Sequence, residues 1–171
     1  DWRWLFIYPD QGIATINELA LPAGRPVEFR LTSATVMNSF FIPGLAGQIY
    51  TMGGMQTRLA LQADDPGTYR GMSAQFSGDG FSDMRFSVIV KDRGAFDAWV
   101  GRVRSSQMQS TLDARALDLL SQERKAQKAS YYARVDGDVF QYAVHRPTSH
   151  EAVGPSMQGM VMTPPQTKAV P

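Results

Sequence analysis

Up to Lys91 the chain alternates. Trp2, Trp4, Phe6 and Tyr8 fall on every second position, with Arg3, Leu5 and Ile7 between them, which predicts a strand. Pro9-Asp10-Gln11-Gly12 is a turn, Ile13 to Leu21 is extended, and Pro22-Ala23-Gly24 turns again. Val27, Phe29 and Leu31 alternate with Glu28, Arg30 and Thr32, the pattern of a half-buried strand. Val36 to Ile42 is apolar and closes at Pro43-Gly44, and Gln48 to Met52 is a short extended piece ahead of Gly53-Gly54. Leu59 and Leu61 alternate with Arg58, Ala60 and Gln62, and Asp64-Asp65-Pro66-Gly67 is a strong turn. Thr68 to Phe76 is extended. Met84, Phe86, Val88 and Val90 then alternate with Arg85, Ser87, Ile89 and Lys91. Short strands with a turn signal roughly every eight to twelve residues predict an antiparallel sandwich or barrel.

At Asp92 the period changes from two to that of a helix. Asp92 is a good cap, and Phe96, Trp99, Val100 and Val103 share one helical face. Ser110 or Thr111 is expected to cap a second helix with Leu112, Ala116, Leu119 and Leu120 inward. Asp136 or Asp138 is expected to start a third, carrying Val139, Phe140 and Val144. The organisation expected is a β-sandwich over 1–91, a helical extension packed on it over 92–146, and a flexible Pro- and Met-containing tail over 147–171. The step at 91/92 is not expected to be a true domain boundary. Trp99 and its neighbours need an apolar surface, and the sandwich is the nearest one.

Composition removes several function classes. With 17 Lys and Arg against 16 Asp and Glu, the net charge of +1 provides no field for nucleic acid. The chain has no Cys, hence no disulfide, thiolate nucleophile or thiolate-held metal. No apolar run is long enough to span a membrane. The opening on strand pattern leads us to expect a preceding segment that this chain lacks.

Other candidate chemistry is thin. His145 and His150 lack a third metal ligand. Met157, Met160 and Met162 offer soft thioethers, but in a tail expected to be inert. Ser77 with His145 lacks the surroundings of a nucleophile elbow. Gly78-x-Gly80 precedes a strand rather than a helix, which disfavours a phosphate loop.

The stretch from Ser73 to Met84 carries more. Taken alone it is a polar loop with one buried aromatic. Its spacing, however, resembles subunit II of the haem-copper oxidases, a cupredoxin sandwich whose copper loop reads Cys-x-Glu-x-Cys-x-x-x-His-x-x-Met. A further His lies upstream in that family, in a His-Ser-Phe-x-x-Pro segment. Here Asn38-Ser39-Phe40-Phe41-Ile42-Pro43 matches the upstream segment, with Asn38 in the His place. Ser73 and Ser77 stand in the two Cys places, Gln75 in the Glu place and Phe81 in the downstream His place, while Met84 matches. A dinuclear centre of that type needs bridging thiolates and imidazoles, soft and borderline donors suited to copper. Serine, asparagine and phenylalanine do not supply them, so Asn38, Ser73, Gln75, Ser77, Phe81 and Met84 are read as vestigial copper-ligand positions that hold no metal. Phe81 is expected to fill the space of a lost ligand, since a void in a core is costly.

Loss of the ligands with retention of their spacing is similar to subunit II of quinol oxidases of the cytochrome bo type. The segments Asp1 to Pro9, Val36 to Pro43 and Gly54 to Leu59 look like that branch, and the resemblance covers residues 1 to about 104. It implies a mainly β, cupredoxin-like Greek-key sandwich followed by a short α-helical C-terminal extension. It also implies a copper-free, non-catalytic domain at the periplasmic face of a bacterial inner membrane. The domain would serve structure and assembly in a proton-pumping oxidase that oxidises ubiquinol and reduces oxygen to water. Haem and copper would reside in the partner subunit I. Partners would be subunit I and the other membrane subunits, with attachment through segments absent from this chain. The alternative is a free-standing periplasmic cupredoxin-like binding or assembly module without redox activity.

Overall fold

The structure, a computed structural model, describes residues 3–34, 36–74, 84–106, 110–122 and 128–146. Among the described residues, nine strands precede the first helix: β1 (Leu5–Tyr8), β2 (Ile13–Ile16), β3 (Glu18–Pro22), β4 (Pro26–Leu31), β5 (Asn38–Ile42), β6 (Ala46–Thr51), β7 (Thr57–Gln62), β8 (Gly67–Ser73) and β9 (Arg85–Lys91). The main sheet runs β3-β9-β8-β5-β6 and is antiparallel except at the β3–β9 pair. Strands β4 and β7 form a separate antiparallel ribbon.

The alternation seen in the sequence becomes a core. Leu31 and Leu61 of the ribbon join Leu19, Leu21, Phe40, Ile42, Phe86, Val88 and Val90 of the main sheet, and Trp4, Phe6, Ala63 and Met84 belong to the same cluster. Phe86 stacks on Phe40 with centroids 5.4 Å apart and meets Trp4 and Phe6 at 5.6 and 5.1 Å. Gly71, cross-strand from Phe86, makes room for this ring. A Cβ at 71 would lie 1.9 Å from Phe86 Cζ.

The run from Ile13 to Leu21, expected as one extended piece, is two strands in two sheets. Asn17 breaks it at φ 56°, a left-handed conformation that Asn tolerates better than most residues. The break is held on three sides. Asn17 Oδ1 accepts from the Trp4 N–H at 2.9 Å, its N–H donates to the Trp4 carbonyl at 2.8 Å, and its carbonyl accepts from the Ser87 N–H at 3.0 Å. Strand β2 thereby pairs with β1, while β3 pairs with β9.

Helix α1 (Arg93–Arg104) starts as its sequence predicts, with Asp92 Oδ1 accepting from the Ala95 N–H at 2.9 Å. Its apolar face, Phe96, Trp99, Val100 and Val103, packs on Ile13 and Ala20. The rest of the extension is less helical than expected. Short strands β10 (Thr111–Leu112), β11 (Ser130–Tyr132) and β12 (Arg134–Val135) accompany α2 (Ala114–Gln122) and α3 (Val139–His145). β11 adds to β2 to make the sheet β1-β2-β11, and β10 pairs with β12 in parallel.

Two expectations for α2 are corrected. Its N-terminal N–H groups are met by Asp113, whose Oδ1 accepts from Ala116 at 2.7 Å, rather than by Ser110 or Thr111. Leu112 is buried as a strand residue, and Leu119 is exposed. The Asp113 cap starts the helix at Ala114 and leaves Leu112 in a strand, outside the helical face expected for it. Helix α3 is capped by Asp138, as one of the two expected residues.

Candidate functional site

Three of the six positions singled out from the loop spacing lie within the described residues, and the fold brings those three together. Asn38 opens β5, Ser73 closes β8, and Met84 immediately precedes β9, so adjacent strands deliver them to one end of the main sheet. All three are buried, at 6%, 5% and 5% exposure. Gln75, Ser77 and Phe81 lie outside the described residues, as do Trp2, Gly78, Gly80, His150 and the tail methionines.

The three side chains satisfy one another. Asn38 Nδ2 donates to Met84 Sδ at 3.3 Å, and Asn38 Oδ1 accepts from the Ser73 hydroxyl and from the Ser39 N–H at 3.0 Å. The Ser73 N–H donates to the Met84 carbonyl at 3.0 Å. Next to them Ser39, fully buried, accepts from the Ala74 N–H through both its hydroxyl and its carbonyl. Buried polar groups paired in this way avoid the desolvation penalty of an orphan.

What such a cluster can do chemically is limited. All its members are neutral, and none is an acid, a base or an activated nucleophile. As a copper donor set it does not fit. It holds an amide, a hydroxyl and a thioether, and the amide N–H₂ is directed at the thioether sulfur. Copper of the cupredoxin type asks for imidazole and thiolate. Among the described residues no group of three His, Cys, Asp or Glu could hold a metal ion. His145 Nδ1 lies 2.8 Å from the Gln141 carbonyl of its own helix.

A second, half-buried polar group escaped sequence reasoning. The Glu18 carboxylate accepts from Trp99 Nε1 at 3.1 Å, joining β3 to α1. The Tyr8 hydroxyl donates to the Ala20 carbonyl at 3.3 Å and accepts from the Ala20 N–H at 2.8 Å, and its ring lies 5.4 Å from Trp99. The Thr15 hydroxyl donates to the Glu18 carbonyl. Burial pushes the Tyr8 hydroxyl far above the ordinary tyrosine range. Tyr131 of β11 is pushed up to about 12, first by burial, then by the negative charge of Glu18 and a hydrogen bond to it. The only signal available beforehand was Asn17 itself, a left-handed-tolerant residue inside an apolar run.

Sequence comparison separates the possible origins of this arrangement. The chain is 49% identical over 140 residues to ubiquinol oxidase subunit 2 of Acetobacter aceti, covering 82% of this chain and 45% of that protein. It is homologous to ubiquinol oxidase subunit 2. A second homologue, cytochrome bo(3) ubiquinol oxidase subunit 2 of Pseudomonas putida, is 46% identical over 146 residues, covering 85% of this chain and 46% of that protein. The chain thus spans less than half the length of these subunit 2 relatives. No family model matches it. Among solved structures, the periplasmic domain of subunit II of cytochrome oxidase of Bradyrhizobium japonicum superposes with a TM-score of 0.55 at 21% identity, covering 57% of this chain and 83% of that one. That likeness gives the fold: a mainly β, cupredoxin-like sandwich, here followed by helices.

Proposed function

We propose that this chain is the periplasmic cupredoxin-like domain of a ubiquinol oxidase subunit II that carries no dinuclear copper and takes no direct part in electron transfer. The observation that carries this reading is the Asn38–Ser73–Met84 cluster. Three of the places where the fold would gather copper ligands, Asn38, Ser73 and Met84, hold residues that bind one another instead. The absence of Cys from the whole chain removes the bridging thiolates. Quinol dissolves in the membrane and can reach a redox site there without a relay outside it. A domain relieved of its metal would persist for what its surface and stability provide, namely packing on the haem-bearing partner subunit and assembly of the complex. The sandwich over 1–91, the extension over 92–146 and the tail over 147–171 would then divide the chain into a scaffold, a buttress and a terminal appendage. Helix α1 lies against β2 and β3 in support of the second role. No helix among the described residues is long and apolar enough to cross a membrane, so attachment would rest on other segments of the longer protein.

The test is purification of the full-length protein from its native membranes. Haem spectra in the purified material, oxygen consumption with ubiquinol but not with reduced cytochrome c, and no copper bound to the separated domain are the expected results. Stoichiometric copper with near-infrared absorption in the domain would overturn the copper-free assignment. Recovery as a single species without haem would favour a free-standing periplasmic module.

A further inference from the structure

Helix α1 buries Phe96, Trp99, Val100 and Val103, but α2 has no buried residue at all. Its sequence is nonetheless amphipathic. Ala116, Leu117 and Leu120 lean on the cluster of Ala14, Leu112 and Val139 and stay half-buried, while Leu119 stands free of it at 56% exposure. Tyr142 of α3, at 39%, is brought beside them, because its hydroxyl donates at 2.9 Å to Oδ2 of Asp118, the residue before Leu119. The apolar pattern of α2 is thus wider than the surface the described residues cover.

The chain leaves the described fold from this same surface. Arg146, the last described residue, donates from Nη1 to the Ser121 hydroxyl at 2.7 Å and sets Nη2 3.3 Å from Asp118 Oδ1. The guanidinium therefore fixes the start of 147–171 on the C-terminal half of α2. The Asp118 carboxylate is already engaged by Tyr142 and Arg146, so covering it leaves no unpaired charge. The sequence that follows suits the face. From Ala152 to Thr167 it carries no Asp, Glu, Lys, Arg or His, and it includes Val153, Met157, Met160, Val161 and Met162. A flexible run of about seven residues, the separation of Val153 from Arg146, spans roughly 15 Å. That is close to the length of roughly 13 Å expected of the helix. A segment tethered in this way is presented at about millimolar effective concentration, so a contact too weak to hold a separate molecule is still populated. A second copy or another subunit lacks that advantage.

We infer that the segment from Val153 to Met162 folds back onto α2 and α3 and covers Leu119 and Tyr142, with the clasp of Arg146 on Asp118 and Ser121 as the point from which it turns. Methionine suits a shallow, uneven helix face, because its unbranched and polarizable side chain adapts to the relief it meets. The segment is then a cover that keeps the apolar side of α2 from water and from other chains. The inference concerns the extension alone and does not depend on the oxidase reading.

The test uses the full-length protein purified from its membranes. The photo-reactive residue p-benzoylphenylalanine is placed at position 119, where the exposed Leu119 leaves room for it, and at position 25 as a control. Arg25 is exposed, in the turn between β3 and β4. After irradiation the products are sized, digested and sequenced by mass spectrometry. A cross-link from position 119 into residues 153–162, in a product with the mass of one chain, and none from position 25, is the expected result. Cross-links from 119 only to a second copy, to another subunit or to lipid, equal cross-linking from 25, or no cross-link at all overturn the inference. As a second readout, Met157→Ser, Met160→Ser and Met162→Ser together are expected to lower the yield from position 119 about tenfold, while the same three changed to Leu preserve it. These positions lie beyond α3, so neither set disturbs the residues that build the extension. Equal yields from the two sets also overturn the cover.

Discussion

The cluster at Asn38 is buried and the junction at Glu18 is half-buried; both are knots of polar side chains, yet they do opposite things. The Asn38 cluster is neutral, and its described bonds join neighbouring strands of one sheet. The Glu18 junction contains a carboxylate and links segments far apart in the chain, with Trp99 Nε1 reaching across to β3. A neutral cluster can in principle be exchanged for apolar groups of the same shape at small cost. A carboxylate that holds a helix onto a sheet cannot, because removing one partner strands the others. The contrast separates polarity left behind by a site from polarity that fastens the architecture.

The largest effect is expected at the junction. Trp99→Ala removes a ring packed against Tyr8 and Phe96 together with the bond to Glu18. It should cost about 3–5 kcal/mol in urea unfolding. Loss of amide protection across α1 would accompany it, and an unchanged midpoint would mean that the helix is held elsewhere. At the other knot, Asn38→Ala should cost about 2 kcal/mol, since it removes the acceptor of the Ser39 N–H and of the Ser73 hydroxyl. Asn38→Leu combined with Ser73→Ala should recover only part of that loss, because the Ser73 hydroxyl is gone while the Ser39 N–H still lacks its acceptor, a non-additivity expected of partners in one network. A double variant worse than the single one would show that the cluster still fastens the sheet.

Alkaline pH sharpens the contrast further. The folded-state value of Tyr131 lies near 12, above the ordinary tyrosine value near 10. As the pH passes about 10 the unfolded chain loses that proton first, so stability falls from there until about 12 and is level below. Tyr131→Phe should flatten the decline, whereas Asn38→Leu with Ser73→Ala should leave its slope unchanged, because the Asn38 cluster holds nothing that titrates. The smallest effect on stability is expected from restoring donors. Asn38→His, Ser73→Cys, Gln75→Glu, Ser77→Cys and Phe81→His together should bind two coppers per chain with near-infrared absorption, using Met84 as it stands. A correctly folded variant without copper would show that the backbone has drifted.

Much of this was legible in the chain itself. Strands β4, β7 and β9 show the alternation of their residues directly, since one face of each meets the core. Asp92 and the face of α1 follow the rules for a capped amphipathic helix. The convergence of Asn38, Ser73 and Met84 was reachable only through the family resemblance, because nothing local links residues on three strands. Gln75, Ser77 and Phe81 lie outside the described residues and stay with the proposal. Strands β10, β11 and β12 were missed for a physical reason. At two or three residues each they are too short to show a period, and they exist only because β2 and one another offer backbone partners. The junction was missed because Glu18 looks like an ordinary polar residue until Trp99 is folded against it.

The left-handed residue at Asn17 has a consequence for how the molecule comes apart. The nine residues from Ile13 to Leu21 deliver Leu19 and Leu21 to the aromatic core, Ile13 and Ala20 to the surface under α1, and Ala14 to the cluster with Leu112 and Val139. One short ribbon is therefore common to all three. Pulling it out of any one of them drags on the other two, so sandwich and extension should melt in a single transition. Amides on β2, β3 and α1 should exchange at one common rate set by global opening, with no independent unit beginning at residue 92.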